Sequence, residues 1–180
     1  MYVTPATLGD RPPADLDGTY FGERVATPAR SVDIYISVEG TKQGKFKGET
    51  SMLKGPIGQS RVLRFSYGVV SPRDVFTGQA SGKRQHKAIV ITKEPGAATP
   101  QFFAALASNE ILKSIVIQFF RRNATGANEL QQTITLTNAT ISDFRQYVGD
   151  DGRWLEDVAF VFQQIKLENI PSKTVAVDSW

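Results

Sequence analysis

Hydrophobic positions along this chain recur at two spacings, and the spacing of two governs the longer part of it. From Ser31 onward, Val32, Ile34, Ile36 and Val38 fall on one face and alternate with Asp33, Tyr35 and Ser37. Successive side chains of an extended strand point to opposite faces, so this pattern predicts a half-buried strand. Leu63, Phe65, Tyr67 and Val69 predict a second strand after a long connection. His86 to Lys93, with Ala88, Ile89, Val90 and Ile91 in succession, predicts a third that is apolar on both faces. Ile115, Ile117 and Phe119 mark a fourth, and Leu130, Ile134 and Leu136 a fifth. The last runs from about Val158 to Leu167 and changes parity: Val158, Phe160 and Phe162 share one face, Ile165 and Leu167 the other. A β-bulge near Gln163-Gln164 is the expected cause, because an extra residue bends a strand at a barrel corner.

One segment follows the helical spacing instead. Thr99-Pro100 offers an N-cap followed by a proline at the first helical position, and Phe102, Phe103 and Leu106 follow up to about Ser108. A helix of two to three turns suits a cover for a barrel end better than a crossover between parallel strands. Strand after strand, with turns around Gly126-Asn128 and Gly149–Gly152 and a single short α-helix, predicts an all-β fold, mainly an antiparallel β-barrel or sandwich.

The ends and two connections stand apart. Pro5, Pro12, Pro13 and Pro28 punctuate residues 1–30, which read as an extended or flexible arm with Tyr20, Phe21 and Val25 as its anchors. Residues 31–170 form the barrel domain, and 171–180 a C-terminal tail. Gly40 to Ser60 is a glycine-rich connection carrying Lys45, Phe46, Lys47, Lys54 and the apolar trio Met52, Leu53 and Ile57, and Ser71 to Gly82 is a second. Loops of this length in a compact domain commonly contact another molecule.

Composition narrows the chemistry. The chain has 180 residues, enough for one core, and no cysteine, which excludes disulfides, thiolate nucleophiles and cysteine metal sites. His86 is the only histidine, so one chain holds no multi-histidine metal site, and no nucleophile motif accompanies it. Asp150-Asp151 and Glu156-Asp157 flank a turn without the alternation and closing glutamate of a calcium loop. No cofactor is expected. The lysines between Lys42 and Lys47 and between Lys83 and Lys87 are not interleaved with stacking aromatics, and the net charge is only +3, so nucleic acid is not expected as a partner. Asn123-Ala-Thr and Asn138-Ala-Thr match the glycosylation triplet, a chance match in the absence of a signal-peptide pattern at the N-terminus. No apolar run is long enough for a membrane-spanning helix, and no membrane insertion is expected.

The order of several short stretches carries a resemblance. Asp33-Ile-Tyr-Ile-Ser-Val-Glu-Gly40, then Gly48-Glu-Thr, resembles the opening strand and loop of the haemolysin-coregulated protein family, the tube proteins of type VI secretion. Phe65-Ser-Tyr-Gly68, Ala80-Ser-Gly-Lys83, Ile91-Thr-Lys93 and the helix start Ala98-Thr-Pro follow in that family's order. Thr137-Asn-Ala-Thr-Ile-Ser142 and Glu156 to Leu167 resemble its last strands. The residues before Ser31 have no counterpart in the short family members, and the Gly40–Ser60 loop is longer.

The resemblance implies a six-stranded-type barrel with one helix that assembles as a hexameric ring. Such rings stack into an inner tube, expelled by a contractile sheath behind a spike, with effectors carried in the lumen. It implies a structural protein rather than an enzyme, cytoplasmic before firing and then secreted without a cleaved signal peptide. For this sequence the expected oligomer or stacking surface comprises Lys45, Phe46, Lys47, Met52, Leu53, Lys54 and Ile57, facing Asp150 and Asp157 of an adjacent subunit. The rival readings are a tube subunit of a phage-like or extracellular injection particle, and a monomeric ligand-carrying barrel.

Overall fold

The structure is a computed structural model and describes residues 32–50, 56–123 and 125–179. The predicted arm, and Met52, Leu53 and Lys54 in the long loop, lie outside the described residues. Eleven strands and one helix follow in order: β1 (Val32–Gly40), β2 (Gly44–Lys45), β3 (Ser60–Val62), β4 (Arg64–Ser66), β5 (Val69–Val70), β6 (Gln85–His86), β7 (Ile89–Lys93), α1 (Thr99–Ala107), β8 (Leu112–Arg122), β9 (Asn128–Val148), β10 (Trp154–Asn169) and β11 (Thr174–Ser179).

All pairings are antiparallel. β1, β8, β9, β10 and β7 lie side by side in that order. The segment 60–66 then closes the sheet by changing partners midway. Its first half, β3, pairs with β1 (Ile34↔Val62, Ile36↔Ser60), and its second, β4, pairs with β7 (Arg64↔Thr92, Ser66↔Val90). Leu63 joins them, its N–H donating to the Thr92 carbonyl at 2.7 Å. The result is the expected barrel, and closure removes the sheet edges that would otherwise be left unpaired.

The predicted inward faces fill the barrel. Ile36, Val38, Ile89, Ile91, Leu112, Ile115, Ile117, Ile134, Leu136, Val158 and Phe160 form one buried cluster, joined by Phe102 and Ala105 of α1. Phe102 sits edge-on to Phe46 (ring centroids 5.3 Å apart) and Phe160 (6.2 Å), so the helix covers the core with an aromatic wedge.

Three expectations are corrected. The parity of β10 does change between Phe162 and Ile165, yet no extra residue lies there: Phe162↔Ala139 and Gln164↔Thr137 keep one register. Opposite Gln163, Asn138 adopts a left-handed backbone (φ 51°), an irregularity that coincides with the change of face. The two-against-one bulge is further along, where β9 inserts Ser142 between the pairs Ala159↔Asp143 and Phe160↔Ile141. Secondly, Ala98 rather than Thr99 caps the helix, without a side-chain bond of its own. Thirdly, the C-terminal tail contains a strand: β11 pairs with β10 over Gln164↔Ser179 to Asn169↔Thr174.

Candidate functional site

The long connection after β1 is built on a rigid root. Glu110, with 2% of its surface exposed, accepts hydrogen bonds from Lys42 N (2.6 Å), Gln43 N (2.9 Å) and Gln43 Nε2 (2.9 Å). Burial alone would raise its carboxyl, but the donors from Gln43 and Lys42 outweigh it and hold the group below the usual range. Gly40 is required beneath this carboxylate, since a Cβ there would lie 2.3 Å from Glu110 Oε1. Phe46 N then donates to Val38 O (2.9 Å), and Lys47 N to Gln101 Oε1 (2.7 Å) on the helix.

Further out the two limbs of the loop cross at van der Waals limits. A Cβ on Gly48 would meet the Gly58 carbonyl carbon at 2.3 Å, and Thr50 N donates to Gln59 O at 3.0 Å. Glu49 turns back toward the barrel, where its Oε1 accepts Ala98 N (3.2 Å) and lies 3.7 Å from Lys93 Nζ. A carboxylate therefore faces the start of α1, the end where negative charge is stabilising. Lys93 Nζ also bonds Glu156 Oε1 (3.0 Å), whose carboxylate receives the Thr99 hydroxyl (2.8 Å to Oε2) and Gln146 Nε2 (3.2 Å). Helix start, loop root and β10 are joined through this buried charged cluster.

The expected surface residues divide accordingly. Lys45 and Lys47 are exposed along the loop, Ile57 is 62% exposed near its returning limb, and Asp150 is exposed in the turn between β9 and β10. Phe46, expected on the assembly surface, is 5% exposed and faces the core against Phe102. Asp157 is engaged within its own chain by Thr92 Oγ1 (2.6 Å), Arg145 (2.8 Å) and Tyr147 (3.3 Å). Burial opposes its ionisation, but these donors hold its carboxyl low.

His86 ends the short strand β6 instead of starting the strand expected over His86 to Lys93, which begins only at Ile89, and its side chain is enclosed. Nδ1 lies 2.7 Å from the Tyr67 hydroxyl and Nε2 2.9 Å from Asp178 Oδ2, with Phe162 edge-on at 5.9 Å. Arg84 pairs with the same aspartate. Asp178 lies on β11, so this cluster fastens the last strand to the β5–β6 hairpin. Burial and the charge of Asp178 push the Tyr67 hydroxyl up. Glu110 carried no sequence signal, and Glu49, Lys93 and Glu156, although they stand in stretches the sequence singled out, gave no sign that they would meet. Among the described residues, no group of three or more His, Asp or Glu is placed to hold a metal ion.

A second feature lies outside the barrel wall. A groove of about 940 Å³ runs beside β1, β3 and β8, bounded by the loop root at Glu49 and Thr50 and by Arg153. Tyr35 and Phe120, edge-on at 5.7 Å, form part of its floor.

A barrel packed to its centre, covered by one helix and bearing a long connection braced at its root, defines the class of the fold as an antiparallel β-barrel. The matches to known proteins specify which. Residues 35–168 match the family described as "Type VI secretion system effector, Hcp". A protein of Pseudomonas aeruginosa named "Major exported protein" is 37% identical over 172 residues, covering 87% of this chain and 96% of that one. A solved structure, "Crystal structure of Hcp protein", superposes with a TM-score of 0.77 at 25% identity, covering 82% of this chain and 99% of the other. The "Secreted protein Hcp3 from Pseudomonas aeruginosa" gives 0.71 at 32% identity, with 83% and 99% covered. The chain belongs to the Hcp family of type VI secretion, a family of secreted tube proteins rather than of enzymes.

Proposed function

We propose that this chain is the ring-forming subunit of a type VI secretion inner tube. Six copies close a ring, rings stack, and a contractile sheath drives the column out behind a spike, with effectors carried in the lumen. The chain waits in the cytoplasm and leaves with the tube, and its role is mechanical rather than catalytic. The observation that carries this reading is the family match over 35–168, which runs from within β1 to within β10.

The geometry supports it physically. A closed ring needs two different patches that meet head to tail, and stacking needs complementary upper and lower faces. The loop offers Lys45, Lys47 and Ile57 on a braced support, together with Met52, Leu53 and Lys54 from the sequence. Asp150, in the β9–β10 turn, is the acid left exposed to receive them from an adjacent subunit. Asp157 and Phe46 act within the protomer. A ligand-carrying barrel is disfavoured because the interior is occupied by the core side chains themselves.

Light scattering on the purified chain tests the reading. A mass near six times 19.8 kDa, with ring-shaped particles by negative stain, is expected. A monomer at every concentration overturns it.

A further inference from the structure

The β5–β6 hairpin is a two-stranded sheet of its own, separate from the barrel sheet. β11 is added to β10 over Gln164–Asn169, beyond the stretch where β10 pairs with β7. Both elements close on one carboxylate. We infer that β11 is a strap for the hairpin: the two are seated and released together, and Asp178 couples them. The coupling is internal to one chain and does not depend on the tube reading.

The hairpin is a formed arm rather than a slack loop. Val69↔His86 and Val70↔Gln85 pair at its base, and Arg73↔Ala80 bridge further out. At the tip, Asp74 Oδ1 accepts Phe76 N (3.1 Å), Thr77 N (2.7 Å) and the Thr77 hydroxyl (2.9 Å). Gly78 N donates to Asp74 O at 2.9 Å. These bonds all fall within the hairpin, so they fix its shape and leave its bearing on the barrel undecided. Val75 and Phe76, 92% and 97% exposed, are carried at its end.

Bearing is decided at the base. Phe162 of β10 packs against Tyr67 (ring centroids 6.2 Å apart) and His86 (5.9 Å). The directional bonds go to β11. His86 Nε2 lies 2.9 Å from Asp178 Oδ2, and Arg84 forks onto both oxygens of the same carboxylate. A second bond from Arg84 reaches Ser179 O at 3.2 Å. The Tyr67 hydroxyl, 2.7 Å from His86 Nδ1, extends this chain of bonds to the other limb of the hairpin. The direction in which the apolar tip is presented is thus set from a strand 94 positions later.

β11 relies on the same bonds. Five of its six residues are exposed, and only Asp178 is partly covered. Among the described residues, no other side chain of β11 makes a hydrogen bond or ion pair. A strand with so little buried surface opens locally at low cost, and its opening removes the partner of Arg84 and His86. Linkage makes the effect reciprocal: whatever seats the hairpin stabilises β11, and loss of β11 frees the hairpin.

The test perturbs each element in the full chain and reads the other. Arg84→Met alters the hairpin side, and hydrogen exchange of the β11 amides reads the strand. Asp178→Ala removes the shared carboxylate. Val175→Pro with Ala176→Pro undocks the strand while keeping Asp178, since one of two successive amides must face β10. Spin labels on Gln79→Cys near the tip and Lys113→Cys on β8 then read the hairpin, with no native cysteine to remove. Excess unlabelled chain ensures that only distances within one chain are seen. The inference expects β11 exchange to quicken about tenfold or more in Arg84→Met, with β8 amides unchanged, because bonds to a charged group are lost. It expects the tip distance, narrow in the native chain, to broaden in Asp178→Ala and in the proline variant alike. Strand exchange within about twofold of native in Arg84→Met overturns it, as does a tip distance that stays narrow once β11 is undocked. Quickening that reaches β8 equally also overturns it, because the whole barrel would then have loosened.

Discussion

Lys93 Nζ lies 3.0 Å from Glu156 Oε1, and the two side chains are 1% and 0% exposed. The pair bridges β7 and β10 at the register position Glu156↔Lys93, directly beneath the start of α1. Taking two charges out of water is costly, and the cost is offset only because Thr99, Gln146 and Glu49 complete the cluster.

That arrangement predicts a strong asymmetry between single and double substitutions. Glu156→Leu alone strands the buried ammonium and should destabilise the barrel by about 3–5 kcal/mol. Lys93→Met combined with Glu156→Leu should recover a large part of the loss. Urea unfolding of the three proteins checks this, and additive losses would sink the account.

Phe46 and Ile57 belong to the same connection yet should respond differently. Phe46→Ala removes a ring buried against Phe102 and should cost about 3–5 kcal/mol. Ile57→Ser alters an exposed position and should stay within about 0.5 kcal/mol. Thermal unfolding compares them, and equal effects would show that the loop is not anchored through Phe46.

Gly48→Ala should displace the loop, because the added methyl has no room against the Gly58 backbone. The expected penalty is about 1–3 kcal/mol by overpacking, with faster proteolysis between residues 48 and 58 than in the native chain. An unchanged cleavage rate would mean that the limbs are not held together.

Charge reversal tests the proposed contact between rings. Lys45→Glu with Lys47→Glu should leave the unfolding midpoint unchanged and abolish stacking at low salt, and Asp150→Lys in the same chain should restore it. Sedimentation and negative-stain imaging read the outcome. Stacking unaffected by reversal would remove these lysines from the interface.

Acid should release the last strand. Hydrogen bonds from Arg84, and then His86, hold the Asp178 carboxyl down at about 2, below its unfolded value of about 3.9. A depressed carboxyl stabilises the folded form fully above its unfolded value, and the contribution disappears as pH falls from about 4 through about 2. Cleavage within residues 170–179 by an acid-active protease should rise across that window and become independent of pH there in Asp178→Asn. A variant that keeps the native pH profile would assign the transition to another group.

The alternation in β1, β8 and β10 determined, by itself, that these residues form strands and which face turns inward, because a period of two leaves only one face to bury. Phe102 at the spacing of a helix, beside a proline, likewise marked the cover of the barrel. The family was legible in the order of short motifs, although no single one specifies it. What the sequence could not decide is which charges meet. Lys93 and Glu156 are 63 positions apart and His86 and Asp178 are 92 apart, so their pairing depends on strand register and barrel closure. Asp157 looked like a surface acid for the same reason: Thr92, Arg145 and Tyr147 reach it only once β7, β9 and β10 lie side by side. Phe46 shows the remaining limit. A phenylalanine between two lysines reads as a loop residue, and its burial is fixed by Phe102, whose ring arrives from the helix more than fifty residues away. Local pattern sets the conformation of a segment, whereas contacts between distant segments exist only after the barrel has closed.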